Sequence, residues 1–116
     1  MSQECDQLHP GRNPTKWKRH VASSVVRKAR SGNGVYDVIL RDGTMACDLA
    51  IMDALERAGC FVIGNPQSFR YRWPGKKKFT RPTPRMVVVL GEDGEAELVY
   101  TREVFMRQFK LCEATQ

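Results

Sequence analysis

The chain has 116 residues, a net charge of +6 at pH 7 and a 41% apolar, 28% charged composition, which suits one compact domain and leaves little material for a second core. A chain of this length buries roughly two-thirds of its unfolded surface, so a folded protein is expected. No run of about 18 apolar residues exists to cross a membrane, and residues 1–13 lack the apolar centre of a secretion signal, so the expected location is the cytoplasm.

Residues 1–12 are polar and aperiodic and read as a flexible N-terminal arm, with residues 13–116 as one α+β domain. Asn13-Pro14 has the form of an N-cap followed by proline at the first helical position, predicting a helix over 14–30. At 100° per residue, Trp17, Val21, Ala22, Val25, Val26 and Ala29 share one half of that cylinder. Lys16, Arg19, His20, Arg27 and Arg30 share the other, and Ser31-Gly32 supplies the stop. Arg27, Lys28 and Arg30 would then complement the helix dipole, whereas Lys16, Lys18 and Arg19 near its positive end would need another purpose.

Residues 35–40 read as a strand, Asp42-Gly43 as a hairpin turn, and Thr44 to Cys47 as a short return strand. Asp48 is expected to cap a helix from Leu49 to Ala58, closed by Gly59. A helix-turn-helix over 44–63 fits poorly, because the apolar strand 60–63 begins where its second helix would be. Ser68 to Trp73 alternates strictly, with Phe69, Tyr71 and Trp73 on one face and Ser68, Arg70 and Arg72 on the other. Pro74-Gly75 turns this strand into the exposed run Lys76-Lys77-Lys78-Phe79-Thr80-Arg81, after which Pro82 and Pro84 keep the backbone off a central ladder.

Residues 86–90 are continuously apolar, as in a central strand, and Gly91 to Gly94 joins them to an antiparallel partner over 96–100. Thr101 is expected to cap a last helix reaching about Cys112, with Phe105, Phe109 and Cys112 on its buried stripe. The order predicts a mixed or antiparallel sheet of about 4–6 strands with about three helices, not the regular alternation of a parallel doubly wound sheet.

No cofactor or metal site is expected. The cysteines at 5, 47, 60 and 112 contain no C-x-x-C pair. Cys5, His9 and His20 make only a partial ligand set, and Cys47, Cys60 and Cys112 read as core thiols. Both histidines lie in the first 20 residues, which removes a histidine-based catalyst from the strands. Asp37, Asp42 and Asp48 cluster near one predicted hairpin, but a strand face, a turn and a cap account for them. No glycine-rich phosphate loop is present, so the protein is read as non-enzymatic.

Charge is segregated along the chain. Residues 1–30 and 64–85 each hold seven basic residues, and together they carry +12; residues 31–63 and 86–116 carry −3 each. Two basic blocks suggest one positive face if the fold unites them, and such a face binds phosphates by releasing condensed counterions. In residues 69–81, cations interleave with aromatics, the pairing that grips single strands by phosphate contact and base stacking. With the aromatics buried, the cations alone would contact phosphates. The expected DNA- or RNA-contacting residues are Lys16, Arg19, Arg27, Arg30, Arg70, Arg72, Trp73, Lys76, Lys77, Lys78 and Arg81. The rival reading is a small inhibitor or adaptor docking on an acidic protein surface, with Trp73 or Phe79 as anchor.

Overall fold

A computed structural model describes residues 25–112. Its class is α+β: a five-stranded sheet, a two-stranded sheet and, among the described residues, two helices. The chain enters at strand β1 (Val26–Ser31), turns through Gly32-Asn33 and returns as β2 (Gly34–Leu40), with Ser31 opposite Gly34 and Val26 opposite Ile39. Gly32 takes φ 59° at the first central position of this two-residue turn, a conformation open to glycine without strain.

That hairpin corrects the helix expected over 14–30, whose first part, 14–24, lies outside the described residues. The cations at 27, 28 and 30 fit a helical period, but Val25-Val26 is β-branched and Gly32-Asn33 is a hairpin turn rather than a helix stop. Pairing with β2 satisfies the backbone of both strands, and that long-range gain overrides a weak local preference.

Strand β5 (Val87–Leu90) pairs with the other side of β2, and β6 (Ala96–Tyr100) pairs with β5 across a bulge beside Leu90. The sheet order is β6-β5-β2-β1-β7, where β7 is Lys110–Leu111, antiparallel throughout. Both faces of its centre are covered, which is why residues 86–90 are apolar without interruption. Met86, Val88 and Leu90 join Ile39 in one cluster, and Val87 and Val89 join Ala29 and Val38 in the other.

Helix α1 (Met45–Arg57) covers the first face, burying Cys47, Ala50, Ile51, Ala54 and Leu55. Ile51 and Leu55 are each worth about 1.5–3 kcal/mol of burial. The start of α1 corrects two expectations, since 44–47 is not a return strand and Asp48 is not a cap. Thr44 is the N-cap, its hydroxyl accepting from Cys47 N at 3.2 Å. Asp42 accepts from both the amide and the hydroxyl of Thr44, so Asp42-Gly43 builds a helix entry.

Asp48 lies in the first turn with no solvent exposure, where it accepts from Arg41 Nε at 2.8 Å and from a terminal Arg41 nitrogen at 3.1 Å. Arg41 is itself only 9% exposed. Its hydrogen bonds to Asp48 hold the guanidinium charge more firmly than usual, against the burial that opposes it. The other terminal nitrogen donates to Thr83 O, the Arg41 amide donates to Met86 O, and the Arg41 carbonyl accepts from Arg102.

On the second face, Thr101 caps α2 (Arg102–Gln108), accepting from Val104 N at 3.3 Å. Phe105 and Phe109 stack with centroids 4.8 Å apart and pack on Ala29, Val38, Val87 and Val89. The helix expected to reach Cys112 stops at Gln108, because Phe109 is extended and Lys110–Leu111 forms β7 on the free edge of β1. Leu111 thereby packs against the same aromatic cluster, while Cys112 is only half-buried.

Strands β3 (Phe61–Ile63) and β4 (Arg70–Arg72) form the small sheet, closing the first core from outside with Cys60, Phe69 and Tyr71. Pro74-Gly75 turns as expected, with Gly75 at φ 83° and Lys76 N donating to Trp73 O. The return run pairs only at Thr80, opposite Tyr71.

Replacing Asp48 by Ala leaves a buried guanidinium unpaired and is expected to lower stability by about 3–5 kcal/mol. Urea unfolding checks this, and the double replacement Arg41→Met with Asp48→Leu should recover much of the loss.

Candidate nucleic-acid interface

The period of β4 decides what its side chains can do. Phe69 and Tyr71 point inward and are 1% and 5% exposed, while Arg70 points out. Trp73 is half-buried against the same core, and with Lys76, Lys77, Lys78 and Thr80 it lines a groove of about 350 Å³. The three lysines are exposed on the rim of the Pro74-Gly75 turn.

Arg72 is engaged within the fold rather than projecting freely. Its guanidinium lies 4.6 Å from the Phe61 ring centre and 5.2 Å from that of Phe79, and a terminal nitrogen donates to Lys76 O at 3.0 Å. Its Nε is buried without a hydrogen-bond partner among the described residues. Arg72 therefore organises the lysine turn by cation–π contact, and any ligand contact it makes adds to that role.

Next along the surface, Arg70 and Arg81 line a groove of about 360 Å³ with Gln67, Ser68, Phe69 and Pro82. The loop after Pro82 is tied down by the Arg41 bond to Thr83 O and delivers Arg85 to the end of the sheet where β5 begins. At this same end, β6 passes into α2 through Thr101 and β1 begins.

Arg102 leads α2, donating at 3.2 Å to Arg41 O, and its Nε is buried without a hydrogen-bond partner among the described residues. Burial pushes its guanidinium below the ordinary arginine value. Repulsion from Arg85 adds to this, Glu103 opposes it, and Arg27 lowers it further. Members of both basic blocks reach this end of the sheet, Arg27 pairing with Val38 and Arg85 preceding Met86, whose carbonyl accepts from Arg41 beside Arg102.

Not every expected cation joins this line. Arg30 lies three residues beyond Arg27, about 10 Å along the strand and on the opposite face, paired across the sheet with Val35 and Lys110. Its neighbour Lys28 contacts Asp37 at 2.6 Å. Lys16 and Arg19 lie outside the described residues. Conversely, Arg102 gives no signal in the charge count because it sits in an acidic stretch, and Arg85 belongs to the second basic block but lies beyond the aromatic-cation pattern of 69–81.

The three aspartates weighed as a metal set have separate partners: Asp37 pairs with Lys28, Asp42 with Thr44 and Asp48 with Arg41. Among the described residues no group of three or more His, Cys, Asp or Glu is arranged to hold a metal ion. Neither helix is long and apolar enough to cross a membrane. Cys47 and Cys60 are buried, and burial pushes both thiols up, Cys47 from 9.0 to about 11. No protein-family model, curated protein or solved structure matches this chain.

Two outcomes follow from this geometry. Arg72→Ala should cost about 1–2 kcal/mol through the loss of both ring contacts, while Arg70→Ala should stay within about 0.5 kcal/mol, as urea unfolding would measure. Between pH 9 and 11 the unfolded chain releases the Cys47 proton and the native chain keeps it. Stability should therefore be unaffected by this thiol below that window and fall as pH rises through it, and Cys47→Ala should flatten the fall in urea titrations.

Proposed function

We propose that this is a small, non-enzymatic, cytoplasmic nucleic-acid-binding protein whose cations track phosphates. The track runs from Lys76, Lys77 and Lys78 at the turn, past Arg70 and Arg81, to Arg85, Arg102 and Arg27 at the sheet end. The observation that carries this reading is that Arg102 donates to Arg41 O, Arg41 donates to Met86 next to Arg85, and Arg27 pairs with Val38 just before Arg41, so one sheet end gathers cations from blocks far apart in sequence. Three guanidinium groups gathered there, with Glu103 offsetting part of their repulsion, gain from a polyanion that relieves the rest.

The flanking surface adds to this support. Residues 64–85 contain no acidic side chain, and neither groove is lined by one. Glu92 and Asp93 lie in the β5–β6 turn, at the opposite end of the sheet from Arg85. Asp48, the carboxylate on the inner side of the loop, is consumed by Arg41.

Binding to labelled oligonucleotides should weaken steeply with salt, because each neutralised phosphate contributes about −0.7 to −0.9 to the slope of log affinity against log salt. Replacing Lys76, Lys77 and Lys78 together by Ala should reduce that slope by about two to three and weaken binding to all sequences. Fluorescence anisotropy at two salt concentrations measures both quantities. No binding at low salt, or unchanged affinity of the triple variant at moderate salt, would overturn the reading.

A further inference from the structure

The β3–β4 pair presents an outer face that the phosphate track alone does not explain. Phe61 stands opposite Arg72 and Ile63 opposite Arg70, so these four side chains share that face while Val62 and Tyr71 pack inward. Phe79 arrives from the other side, because Thr80 brackets Tyr71 with hydrogen bonds of 3.0 and 2.7 Å. The result is a row of ring, guanidinium and ring, with Arg72 between Phe61 and Phe79. Phe61 is 59% exposed, Ile63 45% and Phe79 38%.

Burying such a ring would stabilise the fold, yet both phenylalanines remain open beside cations. We infer that the Phe61–Arg72–Phe79 row is a stacking platform for unpaired bases, which makes single-stranded nucleic acid the ligand of this face. The proposal rests on the nucleic-acid reading above and deepens it by naming the form of the strand.

Its chemistry follows from the arrangement. Aromatic rings and guanidinium planes both stack on bases splayed out of a helix, whereas a duplex keeps those base faces covered. Arg70 and the lysine turn lie beside the row, where they meet the phosphates on either side of a stacked base. An apolar protein partner would satisfy Phe61 and Ile63 but would bury Arg70 and Arg72 without counter-charge, a costly arrangement.

The test uses the full chain and fluorescein-labelled probes: a 15-mer of dT, a 15-mer of rU and a 15-base-pair duplex. Single strands are expected to bind more tightly than the duplex at equal salt. Phe61→Ala and Phe79→Ala should each weaken single-strand binding by about 5- to 100-fold, with little change in the salt slope. Phe61→Tyr, which keeps the ring, should restore it. Phe61→Ala gives up one of the two ring contacts to Arg72 and should melt only slightly below the parent, so binding measured well below both melting temperatures separates a binding defect from a folding one.

Duplex binding as tight as single-strand binding, with Phe61→Ala unchanged, would overturn the platform and leave the phosphate track standing. Loss of all binding at low salt would instead remove the nucleic-acid reading itself. A self-associating parent that Phe61→Ala converts to monomer in sedimentation, without loss of nucleic-acid affinity, would make this face a contact between copies and overturn the proposal.

Discussion

A single buried arginine joins the parts of this protein that carry its surface charge. Arg41 leaves the end of β2, grips Asp48 on α1 with two nitrogens and reaches Thr83 with the third. Its backbone closes the sheet end by bonding to Met86 and accepting from Arg102, and its guanidinium lies 5.7 Å from the centre of the Phe69 ring. Helix, sheet, loop, the start of α2 and the small sheet therefore meet around one side chain. Such a pair contributes little net stability over an apolar replacement, but it demands one geometry, and that geometry sets the loop carrying Arg85 and the backbone from which Arg102 projects.

This arrangement separates two uses of arginine. Arg41 is neutralised inside by Asp48, and Arg72 is shared between two rings and a carbonyl. Arg27 and Arg70 stay outside on paired strands, and Arg81 and Arg85 are exposed on the loop that leads into β5. The planar guanidinium suits both uses, since it forks onto carboxylates and stacks on rings.

Much of the fold was legible where one residue period dominated. The strict alternation of 68–73 placed Phe69 and Tyr71 inside and Arg70 outside, and the apolar run 86–90 identified a strand covered on both faces. Where two periods competed, long-range pairing decided: residues 25–30 satisfy a helical stripe, but β2 needed a partner. Asp42-Gly43 and Asp48 misled for a related reason, as their local chemistry suits a hairpin and a cap while the buried demand of Arg41 lies seven residues away. Of the candidate interface, the lysine turn and Arg70 were readable from composition. Arg102 and the exposure of Phe61 were not, because charge counting along a chain does not see cross-strand neighbours and a short apolar run does not reveal which face is covered.

The bulge between β5 and β6 adds a consequence for life in a crowded solution. Among the described residues β6 closes one side of the sheet, so its outer backbone groups form an edge onto which another chain could add a strand. The irregularity beside Leu90 places Glu97 at the break in pairing, and Glu92, Asp93 and Glu95 crowd the adjoining turn. Kinked backbone and like charges both discourage a second copy from docking there. The acidic residues that lower the net charge of a basic protein thus guard it against sheet-to-sheet aggregation, at the edge farthest in strand order from the β1 cations.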